Sequence, residues 1–92
     1  MRVVLTERFQ RDLRGLTGIE RARCLELLLA LPRSVGSAHE HTGLGLRKIH
    51  ASGVWEARLG LGLRLAFAFR EGEVYLITIG SHDHVSRFLS SL

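Results

Sequence analysis

Leu63-Arg64-Leu65-Ala66-Phe67-Ala68-Phe69-Arg70-Glu71-Gly72-Glu73-Val74-Tyr75-Leu76-Ile77-Thr78-Ile79 is the stretch that decides the fold. Leu63, Leu65, Phe67 and Phe69 alternate with Arg64, Ala66, Ala68 and Arg70, which predicts a strand over 63–70. Glu71-Gly72-Glu73 supplies a hairpin turn. Residues 74–79 are apolar on both faces, as a central strand requires.

Working outward, residues 54–59 alternate again, with Trp55, Ala57 and Leu59 on one side and Val54, Glu56 and Arg58 on the other. Arg47 to His50 reads as a short strand, and Val3-Val4 marks another over 2–5. Thr6 is placed to cap a helix over 7–15, whose Phe9, Leu13 and Leu16 form one apolar stripe. After a break at Gly15 to Gly18, Thr17 and Glu20 have capping-box spacing. They predict a second helix over 18–31 that stops before Pro32. Residues 33–46 have no period and read as a loop. Val85, Phe88 and Leu89 give 82–92 the spacing of a short terminal helix or turn.

The expected fold is therefore α+β. A short N-terminal strand and a helical hairpin pack on one face of a mainly antiparallel twisted sheet, with a short C-terminal helix. The opposite face is expected to stand open, carrying Arg64, Arg58 and small alanines. The second helix is apolar over more than half its circumference. It is either deeply buried or offers a face to a protein partner, and charges at Leu27 and Leu31 are expected to weaken such an association.

Composition sets the limits. The 92 residues make one domain, 1–92, and 46% hydrophobic residues with 24% charged ones exclude a disordered chain. Leu27 to Leu31 is too short to span a bilayer, and no secretory signal opens the chain, so a cytoplasmic location without membrane contact is expected. Cys24 is the only cysteine, which excludes an internal disulfide and a cysteine-based zinc site. Lys+Arg is 13 against 9 for Asp+Glu, and Lys48 is the only lysine. Residues 1–50 hold nine cations against five acids, while 51–92 hold four of each. Arginine suits forked contact with phosphate, so the balance points towards a polyanion; an Arg-rich codon usage would produce the same count.

Four segments carry a resemblance: Leu46-Arg47-Lys48-Ile49-His50; Ser52-Gly53-Val54-Trp55-Glu56-Ala57-Arg58; Leu63-Arg64-Leu65-Ala66-Phe67; and Ile79-Gly80-Ser81-His82-Asp83-His84-Val85-Ser86-Arg87-Phe88-Leu89. In this order the chain resembles the RelE/ParE superfamily of toxins from type II toxin–antitoxin pairs, with the RelE-like branch favoured. The resemblance implies the same helical hairpin on an antiparallel sheet. It also implies a cognate antitoxin, and one of two activities. RelE-like members cut mRNA in the ribosome without a metal; ParE-like members inhibit DNA gyrase. A relative that has lost catalysis and keeps antitoxin binding is a third reading, and a homodimer is a further partner state.

Metal-free RNA cleavage uses the 2′-hydroxyl as nucleophile, and needs a base, an acid for the leaving oxygen and a cation for the phosphate. Arg64 stands where the resemblance puts the phosphate-stabilising arginine; the alternative is a strand arginine paired with Glu56. Arg64 is expected to be dispensable for packing, since Leu63 and Phe67 fill the apolar face. His82 and His84 are the candidates for proton transfer, because histidine titrates near neutrality. A capping role for His82-Asp83 is the other reading, and His50 is a further candidate base or a half-buried strand residue. Lys48, Arg58 and Arg70 are candidates for substrate binding.

Two features depart from the family pattern. The C-terminal tyrosine of many relatives is absent, with Ser86 or Phe88 in its region. The loop acid of one branch also lacks a match at Gly43-Leu44-Gly45, and Glu40 is displaced. His39-Glu40-His41 and His82-Asp83-His84 do not complete a metal set, and no cofactor is expected. Gly43-x-Gly45 and Gly60-x-Gly62 lack the strand–loop–helix setting of a phosphate loop, and Cys24 reads as core.

Overall fold

The computed structural model describes residues 2–34, 46–60 and 62–92, and their side chains except those of 31–34. His39-Glu40-His41 and Gly43-Leu44-Gly45 lie outside the described residues. The deciding stretch forms β4 (Leu63–Arg70) and β5 (Glu73–Gly80), joined by a tight turn. Arg70 pairs with Glu73, so the turn is the two residues Glu71 and Gly72. Both have positive φ, 51° and 78°, the hand that matches the twist of the flanking strands. Glu73 therefore belongs to the strand, where the sequence reading put it in the turn.

β3 (Val54–Leu59) pairs antiparallel with β4, and β2 (Arg47–His50) pairs antiparallel with β3. β1 (Arg2–Leu5) pairs parallel with β5, giving the order β1-β5-β4-β3-β2. β5 is thus internal, flanked on both sides, which accounts for its apolar character. The register shifts between Ala66 and Phe67, where Ile77 is the extra residue on β5.

α1 (Glu7–Arg14) is capped by Thr6, whose Oγ1 accepts from Phe9 N at 3.2 Å and donates to the Leu76 carbonyl at 2.8 Å. The same hydroxyl thus caps the helix and holds it to β5. α2 (Gly18–Ser34) opens with the full capping box: Thr17 N donates to Glu20 Oε1 at 2.8 Å, and Glu20 N to Thr17 Oγ1 at 3.1 Å. α2 runs past Pro32, where the sequence reading ended it. Pro32 falls in the last turn of the helix, where it supplies no N–H to the backbone ladder.

Phe9 of α1 and Cys24 and Leu27 of α2 pack with Ala57, Leu65, Phe67, Leu76 and Ile79 into the main core. The helical hairpin covers one sheet face, as the α+β reading expected. The other face is not open. α3 (His82–Ser90) is a helix rather than a turn, and packs Val85 against Val54 and Ala66, with Leu89 beside them. Ala66, expected to line an open basic surface, is part of the seat of this helix, while Ala68 borders another hollow.

Candidate functional site

A cleft of about 330 Å³ runs between α3 and the β2 edge, lined by Arg47, Lys48, Ile49, Glu56, His82, Val85, Ser86 and Leu89. Alternation and register assemble its floor. Arg47 stands opposite Glu56, Glu56 opposite Ala66, and Arg58 opposite Arg64, so these side chains share a face. Glu56 is 3% exposed. Its Oε1 accepts from Arg47 Nε at 3.4 Å and lies 3.7 Å from Arg64 Nε. Arg64 Nη1 also donates to the Leu63 carbonyl at 3.1 Å. A carboxylate this buried needs its cations, and in return it fixes the direction of both guanidinium groups.

This revises the expectation for Arg64. Its side chain is only 16% exposed and partners a buried acid, so it is not an ordinary surface residue. The sequence alone offers Glu56 as a surface partner for Arg64. The signal that could have found it is present: an acid alternating with Val54 on a strand whose neighbours across the register are Ala66 and an arginine.

His82 comes from the first turn of α3, with its Nε2 3.5 Å from Ser86 Oγ. His82, Val85, Ser86 and Leu89 follow the spacing of one helix face, and that face meets the cleft. His84 is two positions on, about 200° around the helix. It points instead to Thr78 and Asp12, at 2.9 and 3.2 Å from its Nε2. The two candidates for proton transfer therefore face different surroundings. Arg8 lies over the Phe88 ring at 5.2 Å, on the same side of α3 as His84.

Lys48 is exposed on the cleft rim. Arg58 is exposed beside Arg64 and borders a second cleft, of about 410 Å³, with Arg23, Glu26 and Leu27 of α2. Arg70 is six residues along β4 from Arg64, about 20 Å away on an extended strand. It lines a different hollow with Thr6, Ser52 and Tyr75. His50 ends β2, and its Nδ1 accepts from Ser52 N at 3.0 Å in the turn that follows. Among the described residues, no group of three or more His, Cys, Asp and Glu side chains could hold a metal ion. No helix of the described chain is long and apolar enough to cross a membrane.

No protein-family model matches the chain, and no curated protein matches its sequence. Solved structures do match. YafQ from E. coli strain BL21(DE3) superposes with a TM-score of 0.74 at 11% identity, over 92% of this chain and 98% of that one. The RelB–RelE antitoxin–toxin complex from Methanococcus jannaschii gives 0.70 at 15%, over 92% and 96%. The intact E. coli RelBE toxin–antitoxin complex gives 0.68 at 18%, over 87% and 94%. The fold is that of the RelE-family toxins.

Proposed function

We propose that this chain is the toxin of a type II toxin–antitoxin pair and cleaves translated mRNA on the ribosome without a metal. It would act in the cytoplasm and be held in check by a cognate antitoxin. The observation that carries the reading is the cleft: it is lined by Arg47, a buried Glu56 and the imidazole of His82, and Arg64 stands beside it against the same carboxylate.

In this reaction the RNA 2′-oxygen attacks the neighbouring phosphorus as its proton leaves, the bond to the 5′-oxygen breaks, and that oxygen takes up a proton. The products are a 2′,3′-cyclic phosphate and a 5′-hydroxyl. Arg64 stabilises the charge that grows on the phosphoryl oxygens. Proton transfer is assigned to His82, the imidazole lining the cleft. Lys48 on the rim, Arg47 beside Glu56 and Arg58 beside Arg64 hold the flanking phosphates. Glu56, with its Oε1 engaged by cations, serves as the anchor of Arg64 and Arg47 rather than as the base.

Primer extension on mRNA after induction tests this. New 5′ ends in translated messages are expected from the wild type and not from His82→Ala. Gyrase-linked DNA breaks with intact mRNA would overturn the reading in favour of a gyrase inhibitor. Antitoxin binding with neither activity would mark a relative that has lost catalysis.

A further inference from the structure

We infer that Asp12, Thr78 and His84 form a tether that turns α3 so that His82 faces the cleft, and that His84 acts on the reaction by positioning His82. This rests on the cleavage reading above. The three side chains come from α1, β5 and α3 and meet away from the cleft. Asp12 Oδ2 accepts from Thr78 Oγ1 and from Ile79 N, the latter at 3.1 Å, and lies 3.2 Å from His84 Nε2. Thr78 is fully buried and has one hydroxyl proton, which it gives to Asp12. The 2.9 Å contact between Thr78 Oγ1 and His84 Nε2 must then be donated by the imidazole, so Nε2 carries the hydrogen. The network thus places a hydrogen on Nε2 and assigns one ring orientation to His84.

Val85 and Leu89 already seat α3 on the sheet, and apolar contacts of this kind set depth more than rotation. The tether adds rotation. Since residues 82 and 84 point about 200° apart, drawing His84 towards α1 turns His82 towards β2. Gly80 gives a second, independent sign that the ring's place is built. A methyl group there would lie 2.6 Å from His84 Cδ2, so the imidazole rests on β5 only because residue 80 has no side chain. Ser81 fixes the same turn by capping, with His84 N donating to its Oγ at 3.1 Å.

The test compares His84→Ala, His84→Gln and Gly80→Ala by two readouts. One is amide exchange at Val85, whose N–H bonds the Ser81 carbonyl at 3.1 Å in the first turn of α3. The other is cleavage of mRNA by purified protein on ribosomes. His84→Ala and Gly80→Ala are expected to speed that exchange and to lower kcat by up to about 10²-fold with KM little changed, the scale of a small misplacement of a reacting group. His84→Gln keeps a donor for Asp12 and is expected to recover most of both. In a His82→Ala background, His84→Ala should cost nothing more. Unchanged exchange would overturn the tether, and so would losses at 82 and 84 that simply multiply. Restored exchange in His84→Gln without restored cleavage would overturn it too, by making the imidazole itself a participant. A wild type that cuts no mRNA would overturn the function proposed above, and exchange alone would then decide the tether.

Discussion

At the scale of single residues, the Arg64–Glu56 pair ties the cleavage proposed above to stability. Arg64→Ala is expected to lower cleavage by about 10²–10³-fold, the usual loss of one group aimed at transition-state charge. It should also destabilise the fold by about 1–3 kcal/mol, because it removes a charged partner from a buried carboxylate. Paired urea melts and cleavage rates separate the two effects. Arg64→Lys should recover stability better than rate, since an ammonium can neutralise Glu56 but cannot present a planar fork to phosphate. In a Glu56→Gln background the same Arg64→Ala change should destabilise less, as no buried charge is then stranded. Equal losses in both backgrounds would show that the pair is not coupled. The alternation of β3 and β4 made both residues legible on one face. Their burial was not legible, because it depends on α3 arriving from elsewhere in the chain to close that face.

At the scale of elements, strands were easier to read than helix surroundings. Period-two alternation in 54–59 and 63–70 located β3 and β4, and capping chemistry located the starts of α1 and α2. The divergence of His82 from His84 also follows from helical geometry once α3 is accepted as a helix. The partner of each helix face did not follow, because periodicity says that a face is buried and not by what. α2 shows this well. Leu27 is 4% exposed and belongs to the core, while Leu25 and Leu29 are 60% and 74% exposed. The surplus of leucine is therefore surface, and the charge test expected at Leu27 would strike the core instead; the side chain of Leu31 lies outside the described residues. Leu27→Ala is expected to cost about 2–5 kcal/mol. Leu25→Arg and Leu29→Arg should stay within about 0.5 kcal/mol of wild type and weaken capture by the antitoxin proposed above. Thermal melts with titration calorimetry check both halves. A wild-type affinity in well-folded Leu25→Arg and Leu29→Arg proteins would reduce that ridge to plain surface.

At the scale of the whole molecule, two groups make the fold sensitive to alkali. Burial pushes the Cys24 thiol up. The Glu73 carboxylate, accepting from the Tyr75 hydroxyl at 2.8 Å, holds that phenol up as well. Each keeps its proton in the folded chain at pH values where the unfolded chain has released it. Stability is thus full below the ordinary thiol range, about pH 8.5, and falls as pH rises through it and on past about pH 10. Urea midpoints from pH 7 to above pH 10 should show this decline, and Cys24→Ala should flatten its earlier part. A midpoint that does not fall would contradict the burial of Cys24. The sheet order has another consequence, one of timing. β1 must wait for β5, since Val3 pairs with Val74 and the Thr6 hydroxyl donates to carbonyls about 70 residues away. At about 5–20 residues per second of synthesis, that wait lasts several seconds, during which an emerging chain carries a bare β-edge and an unclosed sheet. The ribosome-directed activity proposed above would thus be reached only after translation has passed the residues that complete the fold.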